Sequence, residues 1–159
     1  MVPHRLSQRE LFAGLPAEWP ADLFPNIQRQ VTASRRKLVV LDDDPTGTQT
    51  VHDVPVLTGW SVTDLRDELA DRGPVFYILT NSRSLMASDA QALNAAIGRN
   101  LVEAARLAGR EFVVVSRSDS TLRGHFPGEV RALVDGLQTD FDAWLIIPFF
   151  LEGGRYTVD

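Results

Sequence analysis

Asp42, Asp43 and Asp44 stand side by side directly after the apolar run Leu38 to Leu41, and Pro45, Thr46, Gly47 and Thr48 follow them. Three adjacent carboxylates repel one another, so a catalytic role for at least one, or a cation close by, would explain their retention in a fold. Three further polar stretches supply cations: Thr80-Asn81-Ser82-Arg83-Ser84, then Ser116 to Gly124 with Arg117 and Arg123, then Pro148 to Arg155. An arginine fork matches a carboxylate or phosphate through two parallel hydrogen bonds. The hydroxyls of Thr46, Ser82, Ser118, Ser120 and their neighbours suit a polyhydroxylated ligand. A small anionic sugar derivative fits both requirements.

Each polar stretch ends an apolar run, at residues 38–41, 75–79, 112–115 and 144–147, and each run reads as a buried strand. Helical patterns lie between them. Ser61 and Asp64 have capping-box spacing and open a helix through Leu65, Leu69 and Ala70 that stops at Gly73-Pro74. Ser88 and Gln91 open the longest helix, whose Leu93, Ile97, Leu101, Ala104, Ala105 and Ala108 keep helical spacing until Gly109. A third helix begins near Pro127 and buries Val130, Leu133, Val134 and Leu137. Strand and helix in alternation predict an α/β fold, a three-layer arrangement of a mainly parallel sheet with helices on both faces. Ligands bind such sheets beyond the carboxyl ends of the strands, so the four polar turns are expected to form one composite site. Val54 to Thr58, with Pro55, reads as a short edge strand. Residues 1–36 read as a helical and irregular arm, with Ser34 to Lys37 a solvated lead-in, and residues 37–159 as the domain proper.

The chain has 159 residues, a 44% apolar share and a 23% charged share, which fits one soluble globular domain. A net charge of −5 weighs against nucleic acid as a partner. No apolar run approaches the roughly 20 residues of a membrane span and no secretory leader is evident, so the cytoplasm is the expected location and no membrane partner is expected. Without cysteine there is no disulfide or thiolate chemistry. Of 16 basic residues only Lys37 is a lysine, so anions here are held mainly by arginine forks or backbone N–H groups. His4, His52 and His125 are scattered, and no metal site is expected. The glycine spacing matches neither a phosphate loop nor a dinucleotide fingerprint.

Asp43-Asp44-Pro45-Thr46-Gly47, Thr80-Asn81-Ser82-Arg83, Asp119-Ser120-Thr121-Leu122-Arg123-Gly124 and Pro148 to Arg155 together resemble the N-terminal domain of the four-carbon acid sugar kinases. The resemblance spans residues 38 to 157, and Asp119 to Gly124 is its most specific element. Where the family usually carries a lysine two residues before the motif aspartate, this chain has Arg117. The resemblance implies an ATP-dependent kinase acting on threonate, erythronate, 3-oxo-tetronate or related acids. It places Asp43 and Asp44 at the phosphoryl-acceptor hydroxyl as catalytic residues. Thr46, Ser82, Arg83, Asp119, Ser120, Arg123, Gly124 and Arg155 would hold the sugar acid. ATP and Mg2+ would belong to a separate C-terminal nucleotide-binding domain, which is a partner expected outside residues 1–159, so that this stretch by itself is expected not to turn ATP over. A homo-oligomer remains open.

A second reading shares the opening stretch. Asp42-x-Asp44-x-Thr46 after a strand, with Thr80 closing the next, resembles haloacid-dehalogenase-type phosphatases, in which Asp42 would be the nucleophile and Asp44 the acid. That family also needs a downstream lysine, and none follows Lys37. A third reading is a non-catalytic binding or remnant domain.

Overall fold

The computed structural model describes residues 7–14, 16–17, 20–118 and 123–147. The chain divides into two compact units, Met1–Ala33 and Ser34–Asp159. In the first, α1 (Gln8–Ala13) opens with a full capping box. The Ser7 hydroxyl accepts the Glu10 N–H, and the Glu10 carboxylate takes the Ser7 N–H at 2.8 Å. α2 (Phe24–Ser34) presents Phe24, Ile27 and Val31 at helical spacing, all three exposed.

Among the described residues, the second unit is built on a four-stranded, all-parallel sheet. Its strands are β1 (Lys37–Asp42), β2 (Val56–Leu57), β3 (Val75–Leu79) and β4 (Phe112–Arg117), in the order β2-β3-β1-β4. This is the α/β architecture expected from the alternation of patterns. β1 is central, and from Val39 to Asp42 its residues are buried without interruption, as a strand flanked on both edges should be. In β4, at the sheet edge, partly buried residues alternate with exposed ones.

α3 (Val62–Ala70) and α4 (Ala87–Ala108) lie between strands, and α5 (Gly128–Leu137) follows β4. Their apolar stripes meet Val39, Leu41, Phe76 and Ile78 in one core, to which α3 gives Leu65 and Leu69, α4 gives Ile97, Leu101 and Ala104, and α5 gives Leu133 and Leu137. α4 and α5 approach closely through two glycines. A side chain on Gly136 would overlap the Ala95 backbone, and one on Gly98 would lie 2.7 Å from the Leu133 carbonyl oxygen.

Ser61 caps α3 as expected, but Asp64 is too short for the full reciprocal box and accepts the Ser61 hydroxyl at 2.6 Å. The N-cap of α4 is Met86, two residues before the Ser88 cap read from sequence. The Met86 carbonyl already accepts the Asp89 and Ala90 N–H groups, so the extended Met86 backbone provides the N-cap without a side-chain bond. Gly109 ends α4 in the left-handed region at φ 60°, the conformation for which glycine is suited.

Two expectations fail. Lys37 is not a solvated lead-in: it is 0% exposed, with its ammonium 3.5 Å from Glu68, 3.9 Å from Asp71 and 5.7 Å from the centre of the Phe76 ring. It is the first residue of the central strand, and its long stem runs under α3 to reach the carboxylates there. Residues 143–147 form no strand, and Leu145 is 87% exposed. Apolar content alone cannot make a strand, because the backbone must also find an edge to pair with. Among the described residues, no helix is long and apolar enough to cross a membrane.

Candidate functional site at the carboxyl edge

Parallel pairing sets Asp42 level with Leu79 on one side and Arg117 on the other, so the turns after β1, β3 and β4 leave the sheet together. The Asp42 carbonyl accepts both the Thr80 N–H (2.9 Å) and the Thr80 hydroxyl (3.0 Å), and the Asp43 carbonyl accepts the Arg83 N–H (3.2 Å). Between these anchors Asn81 turns the chain in the left-handed region, at φ 50°, where asparagine is among the side chains best tolerated. The 3-10 turn Ser82–Ser84 is thereby fixed against the triple-aspartate turn.

Arg83 then answers the charge problem posed by the aspartates. Its Nε and Nη2 donate to the two oxygens of Asp43 at 3.2 and 2.8 Å, and its Nη1 donates to Asp44 at 2.7 Å. Asp43 is 3% exposed and the Arg83 side chain 22%, so this is a charged pair well shielded from water. Asp44 is partly open and also takes the Thr46 N–H and hydroxyl at 2.7 and 2.5 Å. These two bonds, with Arg83 and the positive charge of Arg123, hold its pKa below the ordinary aspartate value.

Asp42 is treated differently. It is 2% exposed, and burial pushes its pKa up, against the opposing pull of Arg117, whose Nη1 is 3.5 Å away. Gly47 folds back onto this pair, so that any side chain there would overlap the Asp42 carboxylate and the Arg117 guanidinium. The nucleophile of the phosphatase reading is thus roofed over. Neighbouring carboxylates in unlike environments have their proton affinities pushed apart.

The raised Asp42 pKa has a measurable consequence. Above the unfolded pKa the native state holds its proton more tightly than the unfolded chain does, so this group's contribution declines as pH climbs from about 4 through the raised value. Asp42→Asn removes that dependence. In denaturant titrations across this range, the stability of Asp42→Asn relative to wild type should therefore improve steadily as pH rises, and a pH-independent difference would contradict this account.

The structure thus brings together Asp43, Asp44, Thr46 and Arg83, with Arg123 exposed in a turn and close enough for its charge to act on Asp44. Gly124, partly buried, follows Arg123. Ser82 is in the same turn but is wholly buried and points away from solvent. Asp119, Ser120 and Arg155 lie outside the described residues. His125 sets its Nε2 2.9 Å from the Leu85 carbonyl oxygen, an arrangement that ties the loop before α5 to the β3 turn. Among the described residues no group of three or more acids or histidines is disposed to hold a metal ion.

Glu129 was not among the residues singled out from sequence. It is in the first turn of α5, is 2% exposed, and accepts the hydroxyls of Ser82 (2.8 Å) and Ser118. Asn94 of α4 lies beside it, its amide 3.5 Å from the same carboxylate and 2.9 Å from the Ala90 carbonyl. A signal was available: Glu129, Leu133 and Leu137 recur every four residues on the buried face, and an acid in such a stripe needs partners.

Comparison with curated proteins and with solved structures gives no significant match. The family model described as "Sugar-binding N-terminal domain" matches residues 38–159, starting at the second residue of β1. This agrees with the resemblance carried by the four motifs. With the match covering most of its residues, the chain belongs to the sugar-binding N-terminal domain family.

Proposed function

We propose that residues 37–159 are the substrate-binding domain of an ATP-dependent kinase that phosphorylates four-carbon sugar acids of the threonate, erythronate or 3-oxo-tetronate type. The observation that carries the reading is the Arg83 fork on Asp43 and Asp44. It sets a carboxylate-matching cation beside two acids at the place where an open α/β sheet binds ligands. Family membership supplies the sugar, and the arginines favour a sugar that bears an acid.

In this reading Arg83 and Arg123 attract the ligand carboxylate, with Thr46 and Gly124 lining the same mouth. Asp119, Ser120 and Arg155 join them by the family resemblance. Asp43 and Asp44 face the acceptor hydroxyl. Asp44 is the more open of the two and, as an acceptor held in its charged form, can take the hydroxyl's hydrogen bond and aim its oxygen. Asp43 keeps Arg83 in register. The resemblance also brings in ATP and Mg2+. Those groups, which supply the phosphoryl chemistry, are assigned to a separate nucleotide-binding domain, and the reading requires no step through them here.

The test is a melting experiment with a panel of four-carbon sugar acids and the matching uncharged tetritols. A ligand at a hundredfold excess over its Kd stabilises by about 2.7 kcal/mol, a shift of several degrees. The acids should raise Tm and the tetritols should not. Arg123→Ala should abolish the shift, since truncating a charged partner in a desolvated site costs on the order of 2–5 kcal/mol of binding. No shift at millimolar acid, or an equal shift with tetritols, would remove the sugar-acid reading.

A further inference from the structure

The carboxylate of Glu129 is the meeting point of three elements. Ser82 comes from the turn after β3, Ser118 from the end of β4 and Asn94 from α4, while Glu129 itself belongs to α5. The recess that Glu129 shares with Asp43, Thr80 and Ser116 is too tight to admit a water-sized molecule. No ligand enters it, so the cluster is not a binding pocket. Its described partners are hydroxyls and an amide rather than a cation, which leaves hydrogen bonds and the N-terminus of α5 to stabilise the acid.

Ser82 and Arg83 are consecutive residues with opposite tasks. Ser82 points down to Glu129, and Arg83 points up to Asp43 and Asp44. On the other strand Ser118 also points to Glu129 and is joined directly to Asp119, which opens the Asp119–Gly124 motif. A serine hydroxyl has one proton, and here both are committed to the same carboxylate. Turning either turn away from the sheet would break a buried bond and leave a polar atom unpaired.

We propose that Glu129 is a positioning residue, which sets the height and direction of the Arg83 turn and of the end of β4 at Ser118 by gripping Ser82 and Ser118 from beneath. It touches no ligand. The proposal rests on the sugar-acid reading only for what the positioned residues bind, and the position itself can be read without any ligand.

The experiment uses the full chain as wild type, Glu129→Gln and Glu129→Leu, at a temperature where circular dichroism shows each folded. One measurement is the hydrogen-exchange protection of the Arg83 Nε–H by nitrogen-resolved NMR, with the signal assigned by its loss in Arg83→Lys. The other is the Kd for threonate by calorimetry. In Glu129→Leu the Arg83 Nε–H should exchange at least tenfold faster and threonate should bind at least tenfold more weakly. Glu129→Gln, which can satisfy one serine as acceptor, should fall between. A purely structural acid would lower Tm in both variants and leave Arg83 protection and threonate affinity at wild-type values, and that result overturns the proposal. If Glu129→Leu does not fold, Glu129→Gln decides, with unchanged protection counting against the idea. If wild type itself ignores threonate, the sugar-acid reading fails while the Arg83 signal still decides the positioning role.

Discussion

Arg83→Ala should lower the stability of the second unit by about 3–5 kcal/mol, the usual cost of stranding one member of a shielded ion pair. The argument is one of asymmetry. Asp43 is almost wholly buried and its carboxylate receives two of the three described bonds of the Arg83 guanidinium, so removing that group leaves a carboxylate that water reaches poorly. Arg83→Lys should recover only part of the loss, because an ammonium cannot bridge both Asp43 oxygens while also reaching Asp44. The double variant Arg83→Ala/Asp43→Asn should be more stable than Arg83→Ala alone, since it removes the stranded charge. Urea titrations of the four proteins measure this directly. If Arg83→Ala costs less than about 1 kcal/mol, the pair is behaving as a solvated surface contact and its place at the centre of the site is wrong.

Gly136→Val is expected to have the second large effect. A Cβ at this position would collide with the backbone of Ala95, and a neighbouring helix backbone cannot rotate aside as a flexible side chain can. Overpacking of this kind costs typically about 1–3 kcal/mol, and the branched side chain places the value at the upper end or beyond. The position of the damage is as informative as its size. α5 carries Leu133 and Leu137 into the core and Glu129 beneath the site turns, so pushing α5 off α4 should weaken ligand binding from a residue remote from any ligand. Gly136→Ala should show a smaller version of both effects. A Gly136→Val protein with wild-type stability would mean that the two helices slide apart freely.

Much of the scaffold was legible because periodicity and punctuation agreed. The buried run of β1, the cap at Ser61 and the left-handed Gly109 each follow from local chemistry, and the structure repeats them. The partnership of Arg83 with Asp43 and Asp44 was legible only as a charge balance, since nothing in spacing tells which of several arginines reaches which acid across 40 residues. Lys37 and Glu129 share a feature that hides them in a sequence. A charged residue at the start of an element reads as solvated, and its burial is decided by elements distant in sequence, α3 for one and the turns after β3 and β4 for the other. The run Trp144 to Ile147 failed in the opposite direction. Its composition meets the propensity of a strand, but a ladder is a property of two segments, and composition describes only one.

The burial of Lys37 gives this protein an unusual surface chemistry. Because no other lysine exists in the sequence, the folded domain presents no side-chain primary amine to solvent. Acylating reagents, aldehydes and amine-directed crosslinkers should modify the native protein only at a free α-amino terminus, if one is present. Capture of the Lys37 ammonium then becomes a one-site clock for opening of the central strand: pulsed acetylation read by intact mass would count how often β1 comes away from α3, with no engineered label and no background from other side chains.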